Sequence, residues 1–134
     1  MTINWSLKKS KATLDSELLE NLRAAKYKEL IDFITSARAS VITIIPGQEM
    51  IYQAKEAEAE RWISEENPDI EEYPLLAAEI GITAPDAYSL AQLWLNMSRY
   101  WRLIAAQLEA QRLTINAQIA NATTIQELEN VKIF

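Results

Sequence analysis

Residues 83–121, TAPDAYSLAQLWLNMSRYWRLIAAQLEAQRLTINAQIAN, contain no glycine, and their only proline is at position 85. Thr83 offers an N-cap hydroxyl, Pro85 suits a first helical turn that needs no intrahelical donor, and Asp86 puts a negative charge at the positive end of the helix dipole. Nothing after Asp86 breaks a helix before about Asn121, so the stretch predicts roughly 36 residues and about 54 Å of helix at 1.5 Å per residue. Trp94, Met97, Trp101, Ile104 and Leu108 alternate by three and four, the spacing of a seam between packed helices. Ile115 and Ile119 continue the seam beyond a polar gap at Gln111 and Arg112. A helix longer than about 40 Å exceeds the width of a small globule, so part of this stripe should reach past the local core.

The rest of the chain follows the same pattern. Upstream, Tyr73-Pro74 opens Leu75, Leu76, Ala77, Ala78 and Ile80, and Gly81 closes them, which predicts a short helix with proline at its start and glycine as its stop. Before it, Met50, Ile51, Ala54, Ala57, Ala59, Trp62 and Ile63 lie among strong helix formers that end near Asn67-Pro68. On this second helix Glu56, Glu58, Glu60, Glu65 and Glu66 read as the exposed face, with Lys55 and Arg61 able to pair a minority of them. From Thr13 to Ser40 there is again no breaker. Leu14, Leu18, Leu22 and Ala25, then Leu30, Ile34, Ala37 and Val41, predict a first long amphipathic helix. The five-residue step from Ala25 to Leu30 shifts the stripe sideways, so its two halves should meet different neighbours. Val41 to Ile45 is a β-branched run before Pro46-Gly47, read as an extended connector or a short strand. At the other end, Thr124 and Glu127 form a capping box that starts a terminal helix.

The expected fold is therefore all-α, with two long helices plus shorter ones in a bundle or an extended coiled-coil-like assembly. We expect residues 1–45 to form the N-terminal helix and connector and 46–134 a second helical region, together one structural unit. Composition agrees: among 134 residues, 49% are hydrophobic, two are glycine and four are proline, too few for a turn-rich β fold.

Chemistry is constrained by what is missing. With no histidine and no cysteine, the chain lacks the commonest zinc ligands, thiolate nucleophiles and the side chain that moves protons most easily near neutrality. The clustered acids Glu65, Glu66, Asp69, Glu71 and Glu72 match no calcium-loop spacing and read as a solvated loop. No catalytic residue, metal ligand or cofactor is expected, and the chain is not expected to be an enzyme. The net charge of −6 argues against a nucleic-acid backbone as partner, and no run is apolar enough for membrane insertion. The charge is uneven: residues 49–72 carry nine acids and two bases.

The aromatic residues are the most informative for contact. Trp94 and Trp101 lie seven apart with Tyr100 beside them, and Tyr52, Trp62, Tyr73 and Tyr88 come from neighbouring elements. Two readings stand side by side: rings that fill an intramolecular core, and rings that form a protein interface. The candidate partner interface is Trp5, Leu14, Leu18, Leu22, Trp94, Trp101, Ile104 and Leu108. For Trp5 the alternative is a staple folded back on the first helix.

The segments Ile51-Tyr52-Gln53-Ala54-Lys55-Glu56-Ala57-Glu58-Ala59 and Tyr73-Pro74-Leu75-Leu76-Ala77-Ala78-Glu79-Ile80-Gly81, the long helix with Trp101, and Ala122-Thr123-Thr124-Ile125-Gln126-Glu127-Leu128 together resemble a family of small helical bacteriophage tail proteins. The opening Ile3-Asn4-Trp5-Ser6 is similar to the start of many small tail-fibre-associated proteins. The likeness spans about residues 46 to 130 plus that opening; residues 7–45 depart from it. It implies a non-enzymatic tail component bound to a tail-fibre or baseplate protein, homo- or hetero-oligomeric, in the virion tail after synthesis in the bacterial host cytoplasm. The alternative is a fibre-assembly chaperone absent from the mature virion, and a third class is a small metal-dependent enzyme using the acidic loop. The resemblance carries over no catalytic residues.

Overall fold

A computed structural model describes residues 9–42 and 47–133. Trp5 and the stretch Thr43, Ile44, Ile45 and Pro46 lie outside the described residues. The fold is all-α: α1 (Lys11–Ala39), α2 (Gln48–Ser64), a 3-10 turn (Ile70–Glu72), α3 (Pro74–Glu79), α4 (Ala87–Asn121) and α5 (Ile125–Glu129).

Each boundary has a local chemical cause. Ser10 precedes α1, its Oγ accepting from Thr13 N at 3.1 Å, and the helix begins at Lys11, two residues before the Thr13 of the sequence reading. Gly47, at φ +82°, turns the chain into α2, a left-handed conformation that a side chain makes costly. Asp69 Oδ1 accepts from Glu71 N and opens the 3-10 turn. The cap of α4 is Asp86: its Oδ1 accepts from Ser89 N at 2.7 Å and its Oδ2 from Ser89 Oγ. Thr83, expected as that cap, instead donates its hydroxyl to Glu79 at 2.9 Å, because Pro85 stands just before the helix and not inside it. The Thr124 box forms: Thr124 Oγ1 accepts from Glu127 N, and Glu127 Oε2 accepts from Thr123 N at 2.7 Å.

The chain divides into two compact units, but not at residue 45. One comprises residues up to Arg38 and from Gln107 onward; the other is Ala39–Ala106. The division does not follow chain order, because α4 is one uninterrupted helix whose first part belongs to the second unit and whose last part belongs to the first.

The Ala39–Ala106 unit is centred on Ala59, Tyr73, Leu76, Leu90, Ala91 and Trp94, with Trp62, Ile70, Leu75, Ile80, Ala84 and Leu95 packed around them. Trp62 meets Tyr73 edge to face at 5.2 Å between centroids, a favoured geometry for two aromatic quadrupoles. In the other unit the buried residues are Leu30 and Ile34 of α1, Leu108, Ile115 and Ile119 of α4, and Ala122, Leu128 and Val131 at the end of the chain.

The first half of the predicted α1 stripe is corrected. Leu14 and Leu18 are 47% and 56% exposed. The covered face of α1 runs instead through Leu19, Arg23, Lys26, Leu30 and Ile34, about 130° round the helix at 100° per residue. This covered face is continuous across the five-residue step after Ala25, so that step does not shift the packing to another side.

Candidate functional site

Two kinds of feature compete for a functional role: polar groups drawn inside the units, and apolar side chains left outside. The first kind turns out to be structural. Glu58, read from sequence as an exposed acid, is buried. Its carboxylate accepts from Leu75 N at 3.2 Å and Leu76 N at 3.0 Å. Those amides belong to the first turn of α3, and the residue at the cap position, Tyr73, provides no side-chain acceptor. An acid on α2 thus caps a neighbouring helix and places its charge at the positive end of that helix.

The neighbouring charges are similarly employed. Lys55 pairs with Glu79 at 2.6 Å and lies 5.0 Å from the centre of the Trp94 ring. Arg61 lies over the Tyr73 ring at 4.6 Å, Arg102 pairs with Glu56, and the Tyr73 hydroxyl donates to Glu65. Burial, followed by the Glu65 carboxylate, pushes the Tyr73 phenol above its ordinary pKa of 10.0, so the hydroxyl keeps its proton and donates it in the hydrogen bond to Glu65.

The first unit uses its cations in the same way. Arg23 Nη1 donates to the carbonyls of Ile119 at 2.5 Å and Ala120 at 3.3 Å, two of the unpaired carbonyls at the negative end of α4. Lys26 Nζ donates to Val131 O at 3.1 Å. Glu109 binds Arg112 and Arg38, and the Arg112 hydrogen bond holds its carboxyl below the ordinary value of 4.5. Among the described residues no buried side-chain nitrogen or oxygen lacks a partner, and no group of three or more acids is placed to hold a metal ion. The acids from Glu65 to Glu72 are exposed, with Glu65 and Asp69 occupied by the contacts above.

The apolar candidates separate cleanly. Trp94 and Leu108 are only 7% and 8% exposed; covered by the chain's own residues, they have no surface to present and leave the candidate interface. Ile104 and Leu22 are half-buried. Trp101, Leu14 and Leu18 are exposed. Neither aromatic reading holds for the whole set: Tyr73, Trp94 and Trp62 serve the core, while Tyr88, Tyr100 and Trp101 face outward. Sequence reasoning missed Tyr100's neighbours Leu93 and Leu103 as exposed apolar residues; their spacing from Met97 and Tyr100 is the signal that would have found Leu93.

No protein-family model matches this chain, and no curated protein or solved structure was found to match it either. No helix among the described residues is long and apolar enough to cross a membrane.

Proposed function

We propose that this chain is a non-enzymatic component of a bacteriophage tail, associated with the tail fibre or baseplate and working through helix–helix contacts. The observation that supports it best is the exposed apolar set Leu14, Leu18 and Trp101, large side chains whose burial against a partner contributes up to roughly 1.5–3 kcal/mol each. The resemblance of the Tyr52-Gln53-Ala54-Lys55, Tyr73-Pro74-Leu75-Leu76 and Thr124-capped segments to small tail proteins supplies the setting. In this reading the chain is made in the host cytoplasm and ends in the virion tail, beside a fibre or baseplate protein.

Mass spectrometry of purified virions tests the reading. The expected result is the chain in intact particles at a fixed ratio to the fibre or baseplate protein. Its absence from intact particles overturns the structural role and is the result that a fibre-assembly chaperone produces.

A further inference from the structure

On α4 the side chains at Leu93, Met97, Tyr100, Trp101 and Ile104 follow one side of the helix, and the first four of them are exposed, Met97 by 58% and Tyr100 by 66%. The same seam is closed at Trp94 by its own unit. The seam spacing of three and four is the one that seats a second helix. Trp, Tyr and Met are also the residues that dominate the centres of protein interfaces.

The partner's chemistry follows from charge. The chain carries −6 overall, and Ala39–Ala106 alone holds eleven acids against four bases. Yet from Leu93 to Gln107 every seam and flanking position is uncharged: Leu93, Trp94, Met97, Ser98, Tyr100, Trp101, Ile104, Ala105 and Gln107. The two charges of this stretch, Arg99 and Arg102, fall about 150° away from the line through Met97 and Ile104 at 100° per residue. A charged partner finds nothing on this face to pair with. An equally uncharged helix face fits it. The exposed stripe of α1 does not qualify, because Lys11, Asp15 and Glu17 flank Leu14 and Leu18.

We propose that the α4 face from Leu93 to Ile104 is a self-association surface, docking on the same face of a second copy of this chain. Apolar meets apolar across a two-fold axis, the self-complementary arrangement of an isologous dimer, on a surface free of like-charge repulsion. With 150–250 Å² for a fully buried aromatic ring, the exposed parts of these five residues amount to about 400 Å² per copy. That is half the roughly 800 Å² per partner of a standard stable interface, so the dimer is weak and depends on concentration. This association is independent of the tail assignment: a chain absent from virions that still dimerises refutes the tail role alone.

Sedimentation equilibrium of the purified full chain, from low micromolar to near-millimolar concentration, tests it. The expected result is a monomer–dimer equilibrium that Trp101→Glu weakens by at least about tenfold, while Leu113→Glu, an exposed position on the opposite side of α4, leaves it unchanged. Added salt leaves the dimer unchanged or strengthens it, since it screens repulsion between two acidic chains. The chain has no cysteine, so Met97→Cys and Ile104→Cys give a direct second readout: a disulfide-linked dimer, either from one variant alone or from the mixed pair. A chain that stays monomeric at the highest concentration, a dimer indifferent to Trp101→Glu, a dimer dissolved by salt, or no cross-linked dimer from either cysteine variant or their mixture overturns the proposal.

Discussion

The two units solve the same problem, how to satisfy helix ends and fill a core without glycine-rich loops, with opposite charges. In Ala39–Ala106 an acid does the work: Glu58 reaches from α2 to the first amides of α3. In the other unit a base does it: Arg23 reaches from α1 to the last carbonyls of α4. The charge balances agree, eleven acids to four bases in the first case and eight acids to nine bases in the second. The difference teaches that the acidity concentrated in residues 49–72 is partly structural. One carboxylate is committed to a helix start, a second to a base and a third to a phenol, before any partner is considered.

The comparison is broken most strongly by emptying either core. Leu76→Ala and Leu128→Ala each remove a fully buried leucine, and each should cost about 3 kcal/mol, within the range for such cavities. Amide hydrogen exchange should show the first loosening Ala39–Ala106 and the second loosening the unit of α1 and α5; identical exchange maps would make the division into two units meaningless. Next in size, Glu58→Ala should cost about 2 kcal/mol in urea unfolding, because it leaves two amides without an acceptor. A loss below about 0.5 kcal/mol, the level of a neutral surface change, would show that water replaces the carboxylate. Arg23→Met, which keeps the stem and removes the donors, should cost about 1 kcal/mol by the same measurement.

The smallest effects are those of pH, and they point in opposite directions. Tyr73 is raised in the folded state, so its contribution is complete below the ordinary phenol pKa and is lost as pH rises through the folded value, above 10.0. Tyr73→Phe should flatten that alkaline limb of a thermal-stability profile. Glu109 is lowered, so its contribution is present above 4.5 and is lost as pH falls through its folded value. Glu109→Gln should remove part of the acid limb, and the part is small because the carboxylate is partly exposed to solvent, which screens its ion pairs.

The helices were legible because punctuation in this sequence is sparse and chemically explicit. Gly47, Pro74, Gly81, Asp86 and Thr124 stand at or beside element boundaries, and uninterrupted periodic runs between them leave few alternatives. Side-chain placement was legible only where one periodic choice existed. Leu18 and Leu19 are adjacent: counting forward from Leu14 selects Leu18, whereas counting back from Leu30 through Lys26 and Arg23 selects Leu19, and packing follows the second count. Glu58 was hidden for a different reason. Hydrophobic periodicity assigns every acid to the surface, and nothing local reveals that a helix sixteen residues later begins at a tyrosine without a side-chain cap. Arg23 and Lys26 find carbonyls about a hundred positions away, beyond any local pattern. The contact surface was half legible. The α4 seam was visible apart from Leu93, but which of its residues the chain covers for itself depends on tertiary packing.

The borrowed cap on α3 has a consequence for timing. First-turn amides of a six-residue helix ordinarily exchange with solvent almost as fast as those of a loop, since no carbonyl of their own helix protects them. Here Leu75 N and Leu76 N are bonded to a carboxylate that arrives only when α2 is in place, and α3 alone is too short to persist. These two protons are therefore a clock for assembly: in a refolding experiment pulsed with deuterium they should become protected only when α2 and α3 come together, later than amides in the middle of α2 itself.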